Sequence, residues 1–389
     1  MQSQSRIIQP ISTSELERRK KETCSRMKER GLDLLLIVSN SMFWSANVRY
    51  FTNYLTIMYP EYLLLSVDGD LVFIGHYGLF AEAMKSIFGI KESYNISPNP
   101  TRSYAIDGEY VAGLVKKMRP NTVGIVGFSE LSAAFYQKFM NIMQAQGVSV
   151  VDATDLVEEI RMVKSEEEIR LIRKCAAITD AAVEECIKVL KPGIKERDVL
   201  VAVDRVVEEM GSEEQYYMIG SAPPGERLPH YCINLANRTI QKGDVVRILV
   251  EISGPGGYYT EIGRMFCLGP IPQPLKDHYD VLLEAHRKAV EKLRPSVKMS
   301  EVHRACVSVL DEAGFPRLTA LYGHGQGLDV VEKPFIDPED RHLVRVGMNI
   351  AVHPSATSDK ATAFFCDNYI VTESGAERLQ KTPQEIITV

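Results

Sequence analysis

Apolar and polar positions along this chain follow two different periods, and each change of period marks an element. The run "TSELERRKKETCSRMKERG" from Thr13 is charged on most faces and predicts a surface helix that ends at Gly31. "LDLLLIV" over 32–38 is a continuous apolar run and predicts a buried strand. "YLLLSVDGDLVFIG" predicts a hairpin with Asp68-Gly69 in its turn. "TVGIVG" and "VSVVDA" predict two more strands, with a helix over "SAAFYQKFMNIMQAQG" between them. Helices and strands mixed in this way predict a small α/β domain over residues 1–155.

A second pattern runs through residues 156–389. Ser165 and Glu168 in "KSEEEIRLIRKCAAITDAAVEECIKVLKPG" make a capping box, and Ile169, Ile172, Ala176, Thr179, Val183, Cys186 and Leu190 recur at helical spacing. A second helix, "ERDVLVAVDRVVEEMG", follows at once. The stretch "LKPGIKERDVLVAVDRVVEEMG" (190–211) then aligns without a gap to "LRPSVKMSEVHRACVSVLDEAG" (293–314). Pro192 matches Pro295, Lys195 matches Lys298 and Gly211 matches Gly314, so the punctuation of the two copies is shared. Strand-rich sequence follows each copy. The expectation is two α+β halves related by a pseudo-twofold axis, with a cleft near that axis.

Charge and cysteine content remove several classes. The formal charge of −6 is mild and no Lys/Arg-dense block occurs, which argues against nucleic acid as a partner. "MQSQSRIIQP" lacks the apolar core of a signal peptide, and no run has the length of a membrane span, so a cytoplasmic protein with no membrane partner is expected. The seven cysteines are scattered and form no CxxC pair, so neither a disulfide framework nor a zinc knuckle is indicated. Cys175, Cys186 and Cys306 fall within helical patterns and read as core residues.

Candidate chemistry lies in apolar or glycine-rich surroundings, where an unpaired ionisable group is costly. His230 stands in "GERLPHYCI". Glu251, Tyr259 and Glu261 stand in "KGDVVRILVEISGPGGYYTEIGRMF". His324 and Glu332 stand in "YGHGQGLDVVEKP", His353 in "VGMNIAVHPSA", and Cys366 with Asp367 in "AFFCDNYIVTESG".

"LVEEIRMVKSEEEIRLIR", "GYYTEIGR", "GHGQGLDVVEKP" and "DNYIVTESGAERL" resemble, in order and spacing, the creatinase/aminopeptidase P/prolidase superfamily (M24), whose catalytic domain has the pita-bread fold. "SANVRYFTNY" and the Asp-Gly-Asp hairpin resemble its smaller N-terminal domain. The resemblance implies an α/β N-terminal domain followed by an α+β pita-bread domain with internal pseudo-twofold duplication. Metallopeptidases of the superfamily bind two ions through two Asp, one His and two Glu. By resemblance, Glu261 stands at the second Asp, His324 at the His, His353 at the first Glu and Cys366 at the second Glu. A Leu or Val of "RILVEIS" stands at the first Asp, with Glu251 close by, and Val331 replaces a second family histidine.

These departures shape the functional expectation: a metal-independent, creatinase-like hydrolase that cleaves a C–N bond of a small nitrogenous compound, with no cofactor. His230, Glu261, His324 and His353 are the expected catalytic residues, with His230 as acid/base because imidazole titrates near neutrality. Glu251, Glu332, Cys366, Tyr259, Trp44 and Tyr59 are the expected substrate-binding residues. If a metal is present, Glu261, His324, His353 and Cys366 would hold it as a mononuclear zinc site of mixed ligands. The alternatives are a metal-dependent Xaa-Pro dipeptidase, aminopeptidase or lyase with altered ligands, and an inactive pita-bread binding protein. The resemblance also implies a homodimer whose N-terminal domain closes the neighbour's pocket near "TIMYPEY". Glu61 in that stretch suggests a neutral or cationic substrate.

Overall fold

The computed structural model describes residues 10–40, 46–56, 59–76, 90–96, 104–229, 231–232, 234–316 and 321–389. It divides into two compact units, Met1–Arg161 and Met162–Val389. The division falls six residues beyond the sequence boundary of 155/156. The helix Thr154–Arg161 packs on the first unit, and Arg161 ends it with a buried hydrogen bond to Asn47 Oδ1.

In the first unit, α1 (Thr13–Glu29) begins at Ser12, whose hydroxyl accepts from the Glu15 amide. The strands β1 (Leu34–Ser39), β2 (Glu61–Ser66), β3 (Leu71–Gly75), β4 (Glu92–Asn95), β5 (Thr122–Val126) and β6 (Ser149–Asp152) form one six-stranded sheet in the order β4-β3-β2-β1-β5-β6. The hairpin turn between β2 and β3 uses Gly69 at φ +94°, a conformation that favours glycine. Burial on both faces explains why β1 is apolar from Leu34 to Val38 instead of alternating. The connecting helices are α2 (Asn47–Thr52), α3 (Ala105–Met118), α4 (Ala133–Ala145) and α5 (Thr154–Arg161).

The second unit opens on α6 (Glu166–Val189), where the Ser165–Glu168 capping box is formed in both directions. Its buried stripe includes Ile172, Cys175, Ala176, Thr179 and Cys186. α7 (Glu196–Glu209) follows, then β7 (Glu214–Ala222), β8 (Tyr231–Cys232), β9 (Val245–Ser253) and β10 (Tyr259–Cys267). The second copy is α8 (Gln273–Lys292) and α9 (Met299–Glu312), followed by β11 (Gly323–Gly325), β12 (Glu332–Phe335), β13 (Asn349–Val352), β14 (Ser355–Thr357), β15 (Thr362–Phe364), β16 (Asp367–Thr372) and β17 (Gly375–Arg378). β18 (Ile387–Thr388) closes the chain against β10.

The duplication is visible in detail. Lys195 bridges Thr239 in the first half, and Lys298 bridges Leu343 in the second. Gly193 (φ +95°) and its equivalent Ser296 (φ +72°) make the same left-handed step into α7 and α9. Each half contributes a five-stranded sheet, in the orders β18-β10-β9-β7-β8 and β12-β11-β13-β16-β17. The sheets meet where Gly263 of β10 and Cys366 exchange backbone hydrogen bonds of 3.1 and 3.3 Å. The α/β first unit and the duplicated α+β second unit agree with the fold class read from the sequence.

Candidate active site

The junction of the two sheets is where the singled-out residues gather. Glu261 lies in β10, two residues before Gly263, and pairs directly with Glu251 of β9. Side chains opposite each other in an antiparallel pair share a face, so both carboxyls point the same way. His324 is the central residue of β11, paired to Ala351 of β13, and His353 follows the end of β13. One ligand atom each from Glu261, His324 and His353 lies within 4.8 Å of the others. The imidazole centroids are 5.0 Å apart, and His353 Nε2 is 3.9 Å from Glu261 Oε1.

Hydrogen bonds set the state of each member. His324 Nδ1 is 3.0 Å from the Gly325 carbonyl oxygen, so it carries the proton and leaves Nε2 with its lone pair free for a ligand. Burial lowers the His324 pKa to about 4, keeping the ring neutral at physiological pH. Burial pushes Glu251 well above the usual carboxylate range, reinforced by the charge of Glu261 and a hydrogen bond to it. Burial acts on Glu261 in the same direction, but His353, His324 and donated hydrogen bonds outweigh it and hold this carboxyl below its ordinary value. The pair is therefore one acid and one carboxylate.

Cys366 does not join the three donors. Its thiol donates to Glu261 Oε1 at 2.7 Å, and burial, with the charge of Glu261, raises its pKa well above that of a free thiol. The four-ligand set expected from the sequence thus contracts to three. The thiol is thus protonated and serves Glu261 as a hydrogen-bond donor.

The remaining candidates fall in several places. Glu332 is tied down by Lys164 Nζ at 3.0 Å and by the Asp329 amide, so it braces the loop after β11. Tyr259 is fully buried at the start of β10, its amide donating to the Gly327 carbonyl. Asp367 pairs with Arg264 at 2.7 Å with both side chains fully buried, so Arg264 serves Asp367 and not Glu261. His230 and Trp44 lie outside the described residues. Tyr59 belongs to the first unit, where its ring lies 5.3 Å from that of His76. Glu61 is buried there, hydrogen-bonded by Thr56, and pushed by burial to about 8, so it is no free anion to greet a cationic substrate.

An amide network behind the carboxyl pair had no signal as a group in the sequence. Gln326 Nε2 donates to Glu251 Oε1 at 2.8 Å, and Asn368 Nδ2 donates to Gln326 Oε1 at 2.8 Å. Asn368 Oδ1 accepts from the Glu261 backbone amide at 2.7 Å. Gln326, Asn349 and Asn368 are all fully buried. Buried amides inside apolar strands were the available sign, since each demands partners.

A neutral imidazole with an oriented lone pair, a second imidazole and one ionised carboxylate make a donor set suited to a single divalent cation with an open coordination position. The model for metallopeptidase family M24 matches residues 170–373, and that for the creatinase/prolidase N-terminal domain matches residues 19–163. This chain belongs to metallopeptidase family M24 and is a hydrolase acting on C–N bonds. It is 32% identical to a probable dipeptidase PepE of Mycobacterium tuberculosis over 73% of this chain and 75% of that protein. It is 30% identical to an Xaa-Pro dipeptidase of Pyrococcus horikoshii over 60% of this chain and 66% of that one. The crystal structure of the prolidase from Pyrococcus horikoshii superposes with a TM-score of 0.79 at 25% identity, covering 95% of this chain and 100% of that one.

Membership of a metallopeptidase family, with dipeptidases as relatives, overturns the expectation of a cofactor-free site. The metal-independent, creatinase-like reading had rested on the loss of carboxylate ligands. That loss argues against two ions and leaves a three-donor set for one.

Proposed function

We propose that this protein is a metal-dependent peptidase of the Xaa-Pro dipeptidase type, working with one divalent cation held by Glu261, His324 and His353. The observation that carries the reading is the convergence of those three donors with His324 already oriented by Gly325. A cation held by these three residues would supply Lewis-acid polarisation of the scissile carbonyl and a more acidic water. The protein's own residues do the rest. Cys366 and the protonated Glu251 steady the Glu261 carboxylate, the latter held by Gln326. His230 is the proposed proton donor to the leaving nitrogen.

Elemental analysis of purified protein, combined with a panel of Xaa-Pro dipeptides before and after chelation, tests the proposal. The expected result is about one divalent ion per chain, loss of cleavage on its removal and recovery on its return. Cleavage that survives complete removal of metal would refute it.

A further inference from the structure

The two halves of the duplicated unit differ along one pair of equivalent helices. Carried back from 190 and 293 into the preceding helices, the gapless match sets Val183 of α6 against His286 of α8, and Asp180 against Leu283. In the first half Val183 belongs to an apolar core, and the end of the chain covers the helix. Asp180 accepts from the amides of Lys381 and Thr382 at 2.8 and 2.9 Å, and Ile387 and Val389 pack against that core.

In the second half the matching stretch of α8 borders a cavity of about 470 Å³. Small-molecule sites span roughly 300–1,000 Å³. Leu283, His286 and Val290 come from α8, Tyr369 from β16, Ala376 from β17 and Gln384 from the C-terminal segment. His286 is only 3% exposed, and its Nε2 has no hydrogen-bond partner. A buried, unpaired ring nitrogen where the other half keeps valine carries a desolvation cost, which a ligand bonded to it offsets.

Charge selects the ligand. The lining carries Arg287 and Arg294 against Glu291. Glu291 is taken by Arg287, and Asp367, which accepts from Gln384, is taken by Arg264 and Arg378. Arg294 is exposed and forms no ion pair among the described residues. Burial keeps the His286 ring neutral, and the charges of Arg264, Arg378 and His353 act in the same direction. A cation finds no uncommitted acid in the lining, whereas an anion finds Arg294 and a positive surrounding. Leu283, Val290 and Ala376 offer the rest of the ligand an apolar wall.

We propose that this cavity is a second ligand site that takes a small organic carboxylate with an aromatic or branched apolar body, with Arg294 and His286 as its polar contacts. None of Glu261, His324 and His353 lines it, so occupancy requires neither the metal nor the peptidase reading.

The test is a fluorine NMR titration of the purified protein with 4-fluorobenzoate and with uncharged 4-fluorobenzamide, before and after removal of metal. A376W, which fills the cavity, and R294Q and H286L, which remove the polar contacts, are titrated in parallel, with thermal unfolding to show that each is folded. Wild type is expected to bind the benzoate saturably and about fivefold or more tighter than the benzamide, with or without metal. R294Q should lose that preference, H286L should weaken binding, and A376W should abolish it. Unsaturable binding, equal binding of the two probes, or undiminished binding in folded A376W overturns the inference. So does benzoate binding that disappears when metal is removed, since the carboxylate then sits on the metal donors.

Discussion

Glu251 and Glu261 face each other across β9 and β10, and only one of them is ionised. Two carboxylates so close and so buried cannot both carry charge, so the proton settles on the one remote from the imidazoles. Replacing each by its amide isostere should therefore give opposite outcomes. Glu251→Gln keeps a neutral side chain that accepts from Gln326 and donates to Glu261, so stability should change by no more than about 1 kcal/mol. Metal content should be kept. Glu261→Gln removes the charged donor, and bound metal should fall toward zero in elemental analysis. Equal metal loss in the two variants would contradict the assignment of the proton.

Cys366 touches the Glu261 carboxylate and yet should be chemically inert. Its thiol is fully buried, donates to Glu261 and is held protonated by burial. Alkylation of native protein with iodoacetamide at pH 8 should leave Cys366 unmodified and activity intact. Cys232, the most exposed of the cysteines, should react first. Mass spectrometry of the digest reads this directly, and rapid Cys366 labelling with loss of activity would contradict a protonated, buried thiol.

Much of the fold was legible because its signals are local. Hairpin glycine, capping box and the Pro/Lys/Gly punctuation of the repeat each act within a few residues, and the paired bridges at Lys195 and Lys298 show that the repeat was read in the right register. The site was legible in part. Glu261, His324 and His353 could be chosen as ionisable groups in apolar strands, but their grouping depends on the meeting of two sheets far apart in sequence. What sequence pattern does not express is partnership. Cys366 turns to Glu261 instead of the histidines, and Glu332 is taken by Lys164. Each of these outcomes is settled by a few ångströms of side-chain direction.

His286 should make the protein sensitive to acid. It lies in α8, fully enclosed, its ring against Phe365 and Tyr369 and its Nε2 without a partner. Burial first, then the charges of Arg264, Arg378 and His353, lowers its pKa from 6.5 to about 3. In that interval the unfolded chain binds a proton that the native protein refuses, so stability falls as pH drops below about 6.5 and the loss is complete near pH 3. The cost is on the order of 5 kcal/mol. His286→Leu should be close to wild type at pH 7 and less acid-sensitive below pH 6, measured as urea midpoints across pH. An unchanged slope in the variant would show that the proton uptake belongs elsewhere.

Gly263 is the residue that lets the two sheets close on the site. A Cβ placed there would lie 2.4 Å from Phe364 Cε1 and 3.1 Å from Cys366 Cβ. Its backbone is also the partner of Cys366 in the bridge that joins the halves. Gly263→Ala therefore forces either Phe364 or the bridge to move, and overpacking of this kind costs about 1–3 kcal/mol. Because Glu261 and Cys366 flank the displaced segment, metal affinity should fall together with the melting temperature. The origin of the strain can be isolated by removing the obstructing ring. In Phe364→Ala the new methyl group has room, so adding Gly263→Ala to that background should cost much less than it does in wild type. A double-mutant cycle on thermal unfolding and on metal binding measures the difference. Equal penalties in both backgrounds would place the strain in the backbone bridge and not in the contact with Phe364.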